Sequence, residues 1–315
     1  MIDPLPAPPS SLRTLVEPIA DTLGIQTLSF HTHEILLAFS VYYLLNSRVS
    51  PALSSRLFPQ IYPNLAPKKR ISWNVHVTSL FQSVFICTTA LWVMWTDEER
   101  KNMNARERIW GYTGAMGMTQ AFAAGYFAWD VLVSIVHYDV LGPGSLAHAI
   151  SALIVTNLGF HPFANYYGIA FVLYELSTPF LNFNWFFDKC NMTGSRLQLC
   201  NGILLLLTFF GCRLAWGVYQ TTRVYQDIWL VLQTPGGIEP TTKSWLVPTL
   251  ATSPDRAEIM RFSGAQVLPP WLAFVYLAAN TLLSTLNFYW FWLMIATVRK
   301  RFSASEKRRD KIATE

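Results

Sequence analysis

Charged side chains are scarce in this sequence, and their scarcity argues against a soluble domain. Asp, Glu, Lys and Arg make up 14% of the 315 residues, whereas hydrophobic residues make up 52%. Soluble domains carry roughly 25% charged residues, because a surface that faces water is covered largely by charge. The composition therefore predicts a protein that keeps much of its surface out of water.

Four long blocks contain no Asp, Glu, Lys or Arg: 71–96, 109–129, 140–174 and 262–298. One helix needs about 20 apolar residues to cross a bilayer. The blocks predict an all-α fold, a polytopic transmembrane helix bundle with about seven spans (six to eight). The expected spans are 28–46, 71–95, 112–138, 145–161, 164–186, 198–220 and 270–298. Only the HPFAN turn, 161–165, separates the fourth from the fifth, so the two form either a hairpin or a re-entrant pair.

Three further absences narrow the possibilities. The first 27 residues form a Pro-rich tail without a basic region followed by an apolar core, so no cleavable signal peptide is expected. The cysteines show no CxxC spacing, so no zinc or other metal site and no disulfide framework is predicted. No internal repeat is visible, which weakens the alternative of a proton-coupled transporter with inverted halves.

Basic residues predict how the chain is oriented. With the N-terminus lumenal, fourteen Lys and Arg residues fall on the cytosolic side and nine on the lumenal side. This bias predicts a tail over 1–27 that faces the lumen, a membrane domain over 28–298 and a basic cytosolic tail over 299–315. The loop from Arg223 to Pro270 would be lumenal, and the sequon at Asn191 would stay unglycosylated. A basic cluster beside a membrane favours anionic lipid over nucleic acid as its partner.

Several expected spans carry polar or ionisable groups. A charged group at a helix centre costs about 2.5–3.5 kcal/mol on insertion scales, so it usually faces a partner or a cavity. One interpretation is a closed network in which Arg213 neutralises Asp130 or Glu175. The other is a cavity that faces lipid and has polar groups at one end. The candidate headgroup-binding residues are Asp130, His148, Glu175, Asn182 and Arg213. His31, His33 and His76 lie near span ends, where water reaches a histidine easily.

The segment YELSTPFLNFNWFF, Tyr174–Phe187, places a carboxylate and a proline among aromatic residues. Proline has no N–H, so Pro179 would free the carbonyl four residues earlier, that of Glu175. A free carbonyl at membrane depth must be met by a neighbour or by water. The sequence therefore predicts a kink at Glu175, with Arg213 or a lipid headgroup as the partner, or a kink that is only structural.

Five segments together resemble the TLC-domain family, named for TRAM, Lag and CLN proteins. They are YFAWDVLVSIVHYDVLG, AHAISALIVTNLG, YELSTPFLNFNWFF, NGILLLLTFFGCRLA and LNFYWFWLMI, and the resemblance runs from Trp73 to Val298. The chain is most similar to the transmembrane TLCD-type members. The resemblance implies a multi-span bundle of the endoplasmic reticulum or related membranes that acts on membrane lipid composition. It also implies family anchors at Asp130, His148, Glu175, Ser177, Pro179, Asn182, Trp185, Arg213 and Asn287, of which Pro179, Trp185 and Asn287 would be structural.

One position departs from the family pattern and leaves two functions open. Family members often have paired histidines where this chain reads Ala147-His148. The departure favours a non-enzymatic protein of lipid homeostasis that binds, senses or moves a lipid or acyl chain and needs no cofactor. The alternative is an N-acyltransferase of the ceramide-synthase type. It would use acyl-CoA as substrate and His148 as general base, with Glu175 or Asp130 orienting the histidine.

Overall fold

The structure is a computed structural model that describes residues 1–233, 258–263 and 267–314, with side chains up to residue 300. The described residues form helices and connecting turns and contain no β-strand, so the all-α prediction is confirmed. The helices are α1 Ser10–Leu23, α2 Leu28–Leu44, α3 Ser50–Leu57, α4 Pro67–Thr96, α5 Glu98–Lys101, α6 Ala105–Trp110, α7 Gly114–Val136, α8 Tyr138–Leu158, α9 Asn165–Val172, α10 Thr178–Lys189, α11 Arg196–Phe209, α12 Trp216–Gln233 and α13 Pro270–Thr314.

Among the described residues, five helices are long and apolar enough to cross a membrane. They are α4, α7, α8, the joined pair α11–α12 and α13 up to Lys300. The two other expected spans coincide with α2, which has 17 residues, and with the interrupted run α9–α10. Whether these two also cross stays a prediction. The IWLVLQ segment, 228–233, continues the sixth expected span as part of α12. Residues 234–257 and 264–266 of the expected lumenal loop lie outside the described residues.

Helix α7 packs closely against α2 because glycines face it. A Cβ atom at Gly117 would lie 2.2 Å from Nε2 of His31, and one at Gly125 would lie 2.6 Å from the carbonyl oxygen of Ile35. Small residues let helix backbones approach in this way. The glycines of α7 therefore allow this helix and α2 to pack closely.

Two aromatic clusters form most of the interior. One contains Trp110, Phe163, Tyr167, Ile228 and Tyr276, and it joins α6, α9, α12 and α13. The other joins α2, α4 and α7 around Tyr42, Ile86, Tyr126 and Trp129. The outer faces of the long helices expose Leu, Ile, Phe and Trp side chains, as expected where the neighbour is lipid rather than water.

The turn between α8 and α9 lies where the HPFAN motif predicts it. α8 ends at Leu158 and α9 begins at Asn165. Ala164 has a φ of 57°, and its N–H donates to the carbonyl of Ile109 at 2.7 Å. The turn therefore places α9 beside α6 and α7 and leads the chain into the segment that forms the site.

Candidate functional site

The segment Tyr174–Phe187 forms one wall of the site, and its helix is interrupted near Pro179 as predicted. α9 gives way to a 3₁₀ turn over Leu173–Ser177, and α10 begins at Thr178 with Pro179 in its first turn. The carbonyl of Glu175 is nevertheless occupied, because the backbone N–H of Thr178 donates to it. The prediction of a free Glu175 carbonyl is therefore wrong.

The carbonyl of the interrupted turn that reaches another helix belongs to Tyr174; it accepts from Arg213 as well as from the Ser177 hydroxyl at 3.3 Å. Arg213 lies in the π-helical turn Phe210–Ala215 between α11 and α12. Its Nε atom lies 2.9 Å from the Tyr174 carbonyl oxygen and 3.0 Å from the Ser177 hydroxyl. A buried carbonyl without a partner costs about as much as a lost hydrogen bond, so the arginine stabilises the interruption.

The same guanidinium connects three further groups. Its Nη2 atom donates to the Thr178 hydroxyl at 3.0 Å and lies 3.7 Å from Oε1 of Glu175. Nη1 donates to Oδ1 of Asn287 on α13 at 3.2 Å. The side chains of Arg213 and Glu175 are 7% and 12% exposed. Of the two acids that the sequence offered as partners of Arg213, Glu175 rather than Asp130 forms the ion pair.

A cavity lies beside this arginine network. Its volume is about 70 Å³, measured as the space that the centre of a water-sized sphere can occupy. One water needs roughly 10–15 Å³ on this measure, so the cavity has room for more than one water. Its apolar lining is Ile86, Ala123, Phe127, Ala152, Val155, Phe171, Val172 and Leu283. Its polar lining is Gln82, Gln120, His148, Thr156, Tyr174, Glu175, Asn280 and Asn287.

His148 reaches the cavity from α8 with an unused ring nitrogen. The rings of Phe127 and Trp290 lie edge-on at 6.1 and 5.5 Å between centroids. Nδ1 is buried and has no hydrogen-bond partner within the described part of the chain. The imidazole is within electrostatic range of Glu175 and Arg213. Because a neutral imidazole can donate or accept through this atom, His148 is equipped to bind a polar group inside the cavity.

Asp130 is near the site without lining the cavity. It is half-buried on α7 and within electrostatic range of Glu175. It makes no hydrogen bond or ion pair with any residue that the structure describes up to Lys300. Its role as a headgroup ligand stays a prediction.

Asn182 and Trp185 lie against α4, away from the cavity lining. Oδ1 of Asn182 lies 2.7 Å from Nδ1 of His76, and Nδ2 of Asn182 donates to the Ser79 hydroxyl at 3.3 Å. The ring of Trp185 stacks on His76 at 4.2 Å between centroids. The structure thus assigns both residues a packing contact between α10 and α4, in keeping with the structural role expected for Trp185.

Three amides of the cavity lining were not among the candidate site residues. Gln82 on α4 and Asn280 on α13 lie inside the charge-free blocks 71–96 and 262–298, but spacing alone does not place them together. Gln120 on α7 donates through Nε2 to the carbonyl of Thr156 on α8. The signal for Gln120 was present, since it is an amide inside the charge-free block 109–129.

A separate cluster near the start of α2 brings together Asp3, His31 and Glu34. One possible ligand atom from each lies within 4.8 Å of the other two, which makes this a group that could hold a metal ion. His31 and Glu34 are fully buried, and the Asp3 side chain is 23% exposed. Burial raises the pKa of Asp3 to about 6, and the neighbouring Glu34 carboxylate raises it as well. From the sequence, His31 was expected to be a histidine near a span end that water reaches easily.

The chain is similar to TLC-domain proteins over most of its length. The TLC domain is matched by residues 72–296, which confirms the resemblance drawn from the five segments. A TLC domain-containing protein of Schizosaccharomyces pombe is 32% identical over 304 residues, covering 96% of this chain and 91% of the relative.

Two other relatives extend the comparison. The Saccharomyces cerevisiae protein named topoisomerase I damage affected protein 4 is 28% identical, over 86% of this chain and 85% of the relative. Human TLC domain-containing protein 4 is 30% identical, over 61% of this chain and 69% of the relative. The human match agrees with the similarity to TLCD-type members.

Proposed function

The chain belongs to the TLC-domain family of membrane proteins, and from that membership and its cavity we propose that it binds a membrane lipid or acyl chain inside its helix bundle. The observation that carries the proposal is the lining of the cavity. Apolar side chains form its walls, and the acid–arginine pair Glu175–Arg213, His148 and Asn287 lie at or beside it. Binding sites for small molecules combine these features: mostly apolar walls and a few placed polar groups.

The polar groups would hold the headgroup while the walls hold the chain. Arg213 already satisfies Tyr174, Ser177, Thr178 and Asn287, so it positions Glu175 rather than offering its own charge freely. Glu175 and the unused Nδ1 of His148 remain as the groups that face an occupant. Such a pair suits a headgroup with hydroxyl or amide groups, which can donate to the carboxylate and pair with the imidazole.

We place this activity in the endoplasmic reticulum, with the N-terminus lumenal and the C-terminus cytosolic. The family resemblance supports the organelle, and the fourteen-to-nine excess of basic residues supports the orientation. Binding inside the bundle would let the protein sense, present or move a lipid as part of lipid homeostasis.

The proposal is tested by what the protein retains on purification. The chain would be extracted in a mild detergent, and bound lipids would be identified by mass spectrometry. We expect one lipid class to co-purify with the wild type, and Glu175→Gln to lose most of it, because the amide removes the negative charge and replaces one of the two acceptor oxygens with a donor. An Ala152→Leu variant, which fills the cavity wall, should lose the same lipid.

Matched variants make the result interpretable. Ala147→Leu adds the same bulk to α8 at a position outside the cavity lining, so it should keep the lipid. Thermal melting of each variant would show that it is folded. Equal retention by wild type, Glu175→Gln and Ala152→Leu would reject the cavity as the lipid site.

A second candidate function is N-acyl transfer from acyl-CoA. The observation that favours it is that His148 lines the cavity with a free buried nitrogen near Glu175, as a general base held by a carboxylate would. Incubation with labelled acyl-CoA, sphingoid bases and lysolipids tests it. A labelled amide or ester that disappears in His148→Ala would establish the enzyme, whereas no product from folded wild type would leave lipid binding as the function.

A further inference from the structure

We propose that Asp3, His31 and Glu34 form a binding site for a divalent transition-metal ion, with Zn²⁺ as the best-fitting ion. The site lies at the end of the bundle where the N-terminal segment packs on α2 and α7, apart from the cavity. The proposal is independent of the lipid-binding function.

The histidine is held in an orientation suited to a metal ligand. Its Nε2 atom lies 2.7 Å from the Tyr112 hydroxyl, while Nδ1 faces the two carboxylates, 2.7 Å from Oε2 of Glu34 and 3.4 Å from Oδ2 of Asp3. Metal-binding histidines usually have one ring nitrogen fixed by a neighbouring polar group, which sets the tautomer and frees the other nitrogen. Gly117 makes room for this ring, since a Cβ atom there would lie 2.2 Å from Nε2.

The Asp3 carboxylate is also held in place. The N–H of Leu5 donates to its Oδ1 at 2.9 Å, which leaves Oδ2 towards His31. The N–H of Gly114 donates to the carbonyl of Met1 at 3.0 Å, so the segment before Asp3 is fixed to the start of α7. Because Asp3 is 23% exposed, the site has a route to water through which an ion can enter.

The negative charge of the two carboxylates and an unpaired oxygen of Glu34 both favour a bound cation. Oε1 of Glu34 is buried and has no hydrogen-bond partner among the described residues, although a buried carboxylate oxygen without one is costly. When both carboxyl groups are ionised beside a neutral imidazole, they carry a charge of −2, which a divalent ion balances. Two groups that can carry positive charge lie near the cluster: Nε2 of His33 is 4.0 Å from Oε1 of Glu34, and Arg261 lies over the Tyr112 ring at 5.3 Å. Neither donates a hydrogen bond to Oε1.

The spacing and the ligand types fit zinc. Zn²⁺ binds imidazole nitrogen and carboxylate oxygen at about 2.0–2.2 Å, so two ligand atoms on one ion lie roughly 3.4 Å apart in a tetrahedral arrangement. The distances from Nδ1 to the two carboxylates already lie near or below this value. Imidazole and carboxylate ligands both suit Zn²⁺, and the choice of zinc rests on these ligand types and on the tetrahedral spacing rather than on raw affinity. Three protein ligands leave a fourth position for water.

Metal content tests the proposal directly. Protein with a C-terminal tag that contains no histidine would be stripped with EDTA, loaded with Zn²⁺, passed through gel filtration and measured by mass spectrometry of metals. We expect about one Zn²⁺ per chain that raises the melting temperature, because an ion that binds only the folded state stabilises it. Asp3→Asn and Glu34→Gln should each bind Zn²⁺ at least tenfold more weakly and lose the temperature shift.

Two controls keep the test decisive. Glu17→Gln removes an exposed carboxylate on α1 and should bind Zn²⁺ like the wild type. Tyr112→Phe keeps all three ligands and removes the hydroxyl that contacts Nε2, so it should weaken binding by about 10–100-fold. The proposal is overturned if the wild type retains no Zn²⁺, which would make the cluster a proton-sharing carboxyl pair, or if folded Asp3→Asn retains as much Zn²⁺ as the wild type.

Discussion

Arg213 is the residue on which the geometry of the site depends most. Its guanidinium donates hydrogen bonds to four groups on two other segments and forms an ion pair with Glu175. Arg213 has two roles, because it donates to a backbone carbonyl of the interrupted helix and also pairs with a buried acid. The closed network and the lipid cavity, posed as alternatives from the sequence, therefore coexist: the network forms part of the wall of the cavity.

Replacing Arg213 with methionine should destabilise the protein strongly. Methionine has a similar length but leaves Glu175 without its cationic partner and removes the hydrogen bond from Arg213 to the Tyr174 carbonyl. Removal of one member of a buried pair costs about 3–5 kcal/mol, which would appear as a large drop in melting temperature in detergent. Arg196→Met is the control, since Arg196 is exposed at the start of α11; a comparable drop in both variants would contradict the network.

A substitution at Asn182 distinguishes a role in helix packing from a role in lipid binding. An alanine there removes the hydrogen bonds to His76 and Ser79 and should cost about 1–3 kcal/mol, because the histidine nitrogen loses its buried partner. Lipid retention should stay at the wild-type level, since Asn182 does not line the cavity. Loss of lipid from folded Asn182→Ala would return this residue to the headgroup site that the sequence predicts.

At the scale of elements, glycine decides how closely α7 packs on α2. Gly125→Ala would place a Cβ atom 2.6 Å from the Ile35 carbonyl oxygen and 2.7 Å from Cβ of Ala38. Because both contacts are too short, the helices must separate, at a cost of about 1–3 kcal/mol. Thermal melting should show the loss.

Gly202 provides the matched control for this change. It is also a helical glycine, on α11, and a Cβ atom there would meet nothing within 4 Å. Gly202→Ala should therefore be neutral or stabilising by about 0.5–1 kcal/mol, as expected when alanine replaces glycine in a helix. If Gly125→Ala and Gly202→Ala melted alike, close packing would not be what α7 requires.

The helices were predictable from the sequence because their signal is local. Each of the seven expected spans coincides with a helical segment, since long apolar blocks without charge leave the backbone few alternatives to a helix. The interruption near Pro179 was also local. The prediction of a free Glu175 carbonyl failed for a local reason. The 3₁₀ turn lets the N–H of Thr178 donate to that carbonyl, and sequence spacing alone does not distinguish a 3₁₀ turn from an α-helix.

Contacts between side chains were less predictable than helices, because they join parts of the chain that are distant in sequence. Glu175 and Asn182 are seven residues apart, a spacing that puts two side chains on one face of a continuous helix. The turn over Leu173–Ser177 instead directs Glu175 to the cavity and Asn182 to His76. Asp3 and Glu34 approach each other only because the N-terminal segment folds back on α7. No periodicity within a helix encodes such a contact.

At the scale of the whole molecule, the orientation in the membrane is the property that most needs a test. Seven crossings would put the N-terminus and C-terminus on opposite sides, and the basic residues favour a cytosolic C-terminus. A glycosylation sequon inserted between residues 252 and 263 should then be modified in the endoplasmic reticulum, because that stretch belongs to the expected lumenal loop. Asn191, in the turn between α10 and α11, should not be modified.

A second inserted sequon makes the topology test independent of how close Asn191 lies to the membrane. The stretch from Phe58 to Ala66, between α3 and α4, is on the expected cytosolic side and should stay unmodified. A glycosidase-sensitive mobility shift reports each site. Modification at Phe58–Ala66 or Asn191, with none between 252 and 263, would show that the orientation is the reverse of the predicted one. It would also place the entry to the Asp3 cluster on the cytosolic side.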